Sequence, residues 1–301
     1  GEVWYNSTSN SLKYFYVNSG SWATGNSLNT ARNGLGGAGI QTAALAFGGF
    51  PTTGVTESYN GTNWTEVNDL NTARRWLGSC GTNTAALGFG GSTPPATAIT
   101  ELWNGTNWTE VNDLNQATSS MPGGLGTSTA ALGFGGYLSS PVFAKTELWN
   151  GTNWTEVNDL NTARDFLAGA GTTTAGLAFG GENNQNDPST TAVTESWNGT
   201  NWTEVNDLNT ARGQLAGDGT QTSALGFGGY TAPSPGFKAL TESWNGTNWT
   251  EVSDLTAATS RLAGAGASNT SALAFGGLAP SSTAKTEIWS AGPVTATIGT
   301  S

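Results

Sequence analysis

This chain of 301 residues has no histidine, one cysteine and one methionine, and only 10 of its residues are Lys or Arg. Without histidine it lacks at once the commonest general base and the commonest metal ligand. Cys80 stands alone in the Gly-rich segment LGSCG, so no intrachain disulfide can form, and it reads as a small buried apolar residue. Ten basic against 21 acidic residues leave a net charge of −11. A nucleic-acid partner, whose affinity rests on neutralised phosphates, is therefore disfavoured, as is an anionic membrane surface. No apolar run approaches the ~18 residues of a spanning helix, so no membrane insertion is expected. Residues 1–20 also lack the charged start and apolar centre of a signal peptide.

What is abundant is repetition. The phrase WNGTNWTEVNDLNTAR at Trp149–Arg164 recurs at Tyr59–Arg74 and Trp197–Arg212, with close versions starting at Trp103 and Trp244. A second phrase, L-(A/G)-F-G-G, ends at Gly49, Gly91, Gly136, Gly181, Gly229 and Gly277, giving six copies at periods of 42, 45, 45, 48 and 48 residues. Periods of this length belong to stacked or circular repeat architectures. Each copy reads as four short strands: a Gly/Ala-rich one (Leu35–Ile40, Leu77–Gly81, Leu167–Gly171), then Ala43–Phe47 with its Gly-Gly stop, Thr56–Asn60, the turn Gly61-Thr62, and Trp64–Val67. Asn-Gly between alternating runs is a strong hairpin signal. With no helical periodicity, the expected fold is all-β, a six-bladed β-propeller of four-stranded antiparallel blades. Bulk-free first strands suit the crowded axis. The aromatics Tyr59, Trp103, Trp149, Trp197, Trp244 and Trp289, and Trp22, Trp64, Trp108, Trp154, Trp202 and Trp249, suit the widening wedge between blades.

The ends complete the count. Residues 1–25 read as a hairpin (Glu2–Tyr5 and Leu12–Val17) followed by a short closing strand at Trp22, residues 26–290 as the propeller, and 291–301 as a tail that is either loose or an added strand. Blades are expected near 33–67, 77–111, 123–157, 167–205, 213–252 and 262–289, the last lacking a fourth strand that the N-terminal segment supplies. Leu12–Val17 and Thr286–Trp289 both align with the third strand, so one must lie outside the standard blade.

The Gly-Gly stop followed downstream by Trp, over about residues 26–290, resembles the kelch repeat and the central domain of galactose oxidase-like propellers. The opening EVWYNSTSNSLKYFYVNSGSW is similar to hairpin units of bacteriophage tail-fibre proteins. The first resemblance implies copper chemistry through histidine and tyrosine, which a histidine-free chain cannot supply. For sialidase-like propellers, YNGTNW lacks the Ser and Asp of their Asp-box, and no Tyr–Glu constellation stands out. The expectation is a protein that is not an enzyme and uses no cofactor.

Of the acidic residues, 16 occupy three repeating positions headed by Glu57, Glu66 and Asp69. A catalytic carboxylate pair needs two unlike environments, which repeated copies of one environment do not provide. Solvated strand edges, turn caps or links to Thr and Arg are expected instead. Arg32, Arg74, Arg164 and Arg212 end the NTAR phrase, with Thr118 and Thr259 in the third and sixth copies and Arg261 shifted by two. Two readings are open: an anion-holding ring at the channel mouth, or, more simply, inter-blade salt bridges to the Asp of NDL.

Length variation gathers between Gly-Gly and Thr-Glu, from FPTTGV to ENNQNDPSTTAV, and the residues after the Arg also differ: Asn33-Gly34, Arg75-Trp76, Ser119–Met121, Asp165-Phe166, Gly213-Gln214. In an up-and-down blade these segments share one face, and variable loops on a rigid frame suit recognition. Arg32, Arg74, Arg75, Trp76, Arg164, Asp165, Phe166, Arg212, Gln214 and Arg261 are the candidate ligand-binding residues, the expected partner being a cell-surface glycan or protein and the expected setting extracellular or virion-associated. A structural piece of a tail or filament, self-associating or bound to other virion proteins, is the alternative. The repeated sequons Asn60-Gly-Thr and Asn63-Trp-Thr read as turn chemistry. Glu182–Thr190 carries oxygen ligands without calcium-loop spacing, so no metal is assigned.

Overall fold

The computed structural model describes residues 3–8, 11–120, 124–138, 141–183, 189–232 and 236–297. Met121 and the core of the Glu182–Thr190 segment, residues 184–188, lie outside the described residues. Five repeats form four-stranded antiparallel sheets in simple up-and-down order, the first being Gly36–Ile40, Ala43–Phe47, Thr56–Tyr59 and Trp64–Val67. The innermost strands adjoin one another in chain order, and the last, Ala263–Ser268, adjoins the first. The expected six-bladed ring is therefore closed.

Closure joins the two ends. The sixth sheet runs Ala263–Ser268, Ser271–Phe275, Thr286–Thr297, Ser11–Gly25, Val3–Asn6. Trp22 pairs with Trp289 as each fourth-strand Trp pairs with the third strand elsewhere. Thr286–Trp289 is thus the third strand, and Leu12–Val17 lies outside the standard blade. The expected break between Val17 and Trp22 is replaced by one 15-residue strand with a register shift between Asn18 and Ser21. Gly20 makes this continuity possible: its φ is +96°, and a Cβ there would stand 2.0 Å from the Trp289 ring. Residues 291–297 prolong the third strand against residues 13–18, so a three-stranded ribbon continues past the blade.

Aromatic rings fill the wedges as expected. Trp103, Trp149, Trp197, Trp244 and Trp289 are 1–2 % exposed, and each is worth roughly 1.5–3 kcal/mol of burial. Fourth-strand tryptophans bridge blades: the indole N–H of Trp108 donates to Thr56 Oγ1 of the preceding blade at 3.1 Å, and that of Trp154 to Thr100 at 3.0 Å. Across the closure Trp64 donates to Thr286 at 3.0 Å and Trp22 to Thr241 at 2.9 Å, so the seam is bonded like every other junction.

The Gly-Gly stop is the other junction. Gly48 and Gly49 both have positive φ, a Cβ on Gly48 would meet the Arg74 carbonyl at 2.5 Å, and Gly49 N–H donates to that same carbonyl at 2.9 Å. The counterpart at the seam is Gly277 N–H to Arg32 O, also 2.9 Å.

The repeating charges are structural. Arg32, Arg74, Arg164 and Arg212 are 0 % exposed and pair within their own blades with Glu57, Glu101, Glu195 and Glu242 at 3.1, 3.0, 3.1 and 3.0 Å. Arg164 and Arg212 also donate hydrogen bonds to their carboxylates, whereas Arg32 and Arg74 sit off the hydrogen-bond line. Each Glu also binds the crossover, as Glu57 does by accepting from the amide and side chain of Asn29. The Asp of NDL is not the ion-pair partner: Asp69 accepts from Thr56 N at 3.0 Å and caps the third strand. The Glu57 series is accordingly buried, while the Glu66 series stays exposed on the outermost strands, where charge blunts edge-to-edge pairing.

Where the third and sixth copies replace Arg with Thr118 and Thr259, the residue before Thr-Glu becomes Lys145 and Lys285 in place of Val55, Ile99, Val193 and Leu240. Lys285 pairs with Glu287 at 2.9 Å, and a small cavity bounded by Thr259, Phe275 and Glu287 marks the missing guanidinium. In the third blade Lys145 reaches the outer Glu156 at 2.8 Å. Turn chemistry accounts for the sequons: Asn60 Oδ1 accepts from the amides of Thr62 and Asn63, Gly61 takes φ +91°, and Asn63 Oδ1 accepts from Asn26 of the neighbouring blade.

Candidate binding site at the channel mouth

The variable loops and the crossovers do emerge on one face. Residues just after the NTAR phrase form backbone bridges to the residue just after Gly-Gly: Asn33 with Phe50, Arg75 with Ser92, Ser119 with Tyr137, Asp165 with Glu182, Gly213 with Tyr230 and Ser260 with Leu278. One residue further on, the chain turns over the channel. Gly34, Trp76, Ser120, Phe166, Gln214 and Arg261 all have φ between +50° and +60°. Their backbones form a belt: Trp76 N–H donates to Gly34 O, Phe166 to Ser120, Gln214 to Phe166, Arg261 to Gln214 and Gly34 to Arg261, at 2.7–3.0 Å.

This conformation costs a non-glycine residue roughly 1–2 kcal/mol. Glycine would meet the demand without strain, as Gly34 does in a chain with 44 glycines. Five different side chains are nevertheless held there, in a frame whose copies are otherwise nearly identical.

Those side chains converge. Trp76 and Phe166 meet edge to face across the opening, with ring centroids 6.3 Å apart. The Arg75 guanidinium lies 4.3 Å from the Trp76 ring centroid and 5.1 Å from that of Phe50, and Arg261 lies 5.9 Å from both Trp76 and Phe166. Arg261 Nε donates to Gln214 Oε1 at 3.0 Å, and Gln214 Nε2 donates to Glu182 Oε1 at 2.8 Å. Burial, then the neighbouring Glu182, pushes the Asp165 carboxyl up to about 8, so it is largely neutral at pH 7. Glu182 is raised by burial too, opposed by the Gln214 hydrogen bond and by Arg261.

The ten sequence candidates thus divide. Trp76, Phe166, Gln214 and Arg261 line one pocket, Arg75 stacks on Trp76, and Asp165, directly before Phe166, is buried. Arg32, Arg74, Arg164 and Arg212 do not join it; fully buried and neutralised, they cannot ring the mouth as ligand-holding groups. Phe50 and Glu182, absent from the candidate set, do belong. Their signal is position: each directly follows a Gly-Gly stop and pairs with the residue just before the belt.

Below the mouth, the innermost strands enclose a channel of about 140 Å³ lined mainly by Gly and Ala. Cys80 and Asp218 are exceptions. Burial pushes the Cys80 thiol up to about 12, so it is inert. Asp218 borders the channel and so retains some exposed area, yet lies deep in the ring; desolvation raises its pKa well above the usual range against a hydrogen bond from the Gly266 amide, and Oδ2 has no partner among the described residues. Among the described residues no group of three His, Cys, Asp or Glu side chains could hold a metal.

Compared with protein-family models and with curated proteins, the chain matches none. The fold and the site therefore carry the functional reading by themselves. The chain is a six-bladed β-propeller.

Proposed function

We propose that this propeller is a non-enzymatic recognition module that seats a cell-surface glycan or protein on its channel mouth. The observation that supports the reading is the belt: five non-glycine side chains in a left-handed backbone conformation, different in every blade, gathered where the loop lengths also vary. Residues kept in strained backbone positions cluster at ligand clamps and active sites. Aromatic faces and arginines are also the side chains that dominate recognition surfaces. An enzymatic role has less to stand on, because the buried glutamates bind the crossovers, the Asp69 series caps strands, the Glu66 series lies exposed on the outermost strands, and the channel lining holds one isolated acid.

The resemblance of the opening hairpin to tail-fibre segments supports a setting on a virion or outside a cell for this molecule. The ribbon of Val3–Asn6, Ser11–Gly25 and Thr286–Thr297, which extends beyond the sixth blade, is its natural attachment arm. That ribbon also supports the alternative, a structural piece of a tail or filament.

Arrays of surface polysaccharides and surface proteins probed with the intact chain test the proposal. Binding that Trp76→Ala abolishes, with the fold preserved by circular dichroism, supports it. Failure to bind any array, together with self-association in sedimentation, overturns it in favour of the structural alternative.

A further inference from the structure

The chain has six arginines. Four are neutralised inside the blades by Glu57, Glu101, Glu195 and Glu242. The remaining two, Arg75 and Arg261, are brought to the same indole, with guanidinium carbons 4.3 and 5.9 Å from the Trp76 centroid. Neither has a carboxylate within ion-pair reach among the described residues, where those ion pairs are confined to other side chains. Arg75 also makes no side-chain hydrogen bond there, and its Nε is buried without a partner. Glu182 accepts from Gln214 and reaches Arg261 through it.

A fold that supplies every other arginine with its own glutamate has left two like charges facing one opening. Their mutual repulsion is felt at Arg261, whose pKa is lowered mainly by burial, raised in part by Glu182 and lowered further by Arg75. An anion entering between them would relieve that repulsion and gain bidentate bonds. The rest of the molecule limits which anion. Net charge is −11, and the outermost strands carry the exposed Glu66, Glu110, Glu156, Glu204 and Glu251, so a long polyanion approaching the ring meets repulsion nearly everywhere but the mouth.

Building on the recognition role proposed above, we infer that the ligand is a saccharide bearing a single oxyanion, carboxylate or sulfate, on the residue that enters the mouth, with that anion held by Arg75 and Arg261 and the sugar face laid on Trp76. An aromatic ring flanked by two guanidinium groups suits a sugar ring with a charged substituent at its edge.

The test uses the intact chain on matched glycans: singly carboxylated, singly sulfated and neutral versions of the same oligosaccharides, together with dextran sulfate as a polyanion and an acidic peptide library. The expected result is at least tenfold tighter binding to a singly charged glycan than to its neutral match. In Arg75→Gln and Arg261→Gln that preference falls to below threefold with the fold preserved by circular dichroism, while Glu110→Gln, on the exposed outer strand, keeps the tenfold preference. The carboxylate and sulfate arms decide which oxyanion is used. Equal binding of neutral and charged glycans overturns the inference while leaving the recognition role intact, as does tighter binding of dextran sulfate. Binding of the peptides alone assigns a protein partner and also overturns it. Absence of binding to every probe overturns the inference and the recognition role together.

Discussion

Replacing Glu101 by Gln isolates the interaction that fixes each crossover to its blade. Glu101 is fully buried; its carboxylate faces Arg74 Nη1 at 3.0 Å and accepts from Asn71 N and Nδ2, both at 2.8 Å, and from Thr72 N at 3.2 Å. Gln keeps one acceptor oxygen but turns an amide N–H₂ toward existing donors and leaves the Arg74 charge buried without a counter-charge. Breaking a buried pair from one side costs about 3–5 kcal/mol, and lost charge-assisted bonds fall within that range. Glu110→Gln, on the exposed outer strand, changes stability by less than about 0.5 kcal/mol. In the double variant Glu101→Gln/Arg74→Met the uncompensated charge is gone, so part of the loss returns. Urea unfolding followed by tryptophan fluorescence measures all four proteins, with midpoints compared at a common slope. A Glu101→Gln loss below about 1 kcal/mol, or a double variant less stable than the single one, refutes the assignment of a structural role to this pair.

Two further expectations follow from departures from the repeat. Thr259→Arg combined with Lys285→Val rebuilds the common arrangement around Glu287 and fills the cavity there, so it should raise stability by about 1–3 kcal/mol, more than either change alone gives; a destabilised double variant in thermal unfolding would speak against the Arg-for-Lys exchange. Asp218→Ala restores the residue found in three of the other five inner strands, at Ala38, Ala170 and Ala265. Because the folded-state pKa of Asp218 is raised, its favourable contribution is complete below the unfolded carboxyl pKa of about 3.9 and is lost as pH climbs toward the folded value. The variant should therefore gain about 1–3 kcal/mol at pH 7 and converge on the parent near pH 4, and a gain independent of pH would show that ionisation is not the cause.

The ring was legible because its signals are redundant: the Gly-Gly stop, the wedge tryptophans and the Asn-Gly turn each recur in every blade or nearly so, and each has a local physical reason. The short closing strand expected at Trp22 is the one that completes the sixth blade. The fusion of Leu12–Val17 with that strand was not legible, since it depends on Gly20 yielding space to Trp289, a contact between opposite ends of the chain. The arginines were assigned to the wrong partner for a similar reason. Asp69 is nearer to Arg74 in sequence than any other acid of the phrase, but Glu57 and Arg32 face one another only once the crossover folds back over the third strand. At the mouth, the variable positions marked Trp76, Phe166, Gln214 and Arg261, whereas their left-handed backbone and the belt that enforces it appear only in three dimensions. The exchange of Arg for Lys145 and Lys285 could have been read from the repeats alone, by aligning the residue before each Thr-Glu with the residue ending each NTAR phrase.

The mouth itself is open to one direct measurement. The chain has 13 tryptophans, and Trp76 Nε1 is a buried indole nitrogen without a hydrogen-bond partner among the described residues, while the wedge indoles donate to Thr hydroxyls or backbone carbonyls. In a nitrogen–proton correlation spectrum, with the Trp76 indole signal assigned by Trp76→Phe, titration with the bound glycan or protein should move that signal while the wedge indoles hold still. Saturable shifts confined to wedge or ribbon indoles, with Trp76 unmoved, would contradict recognition at the channel mouth.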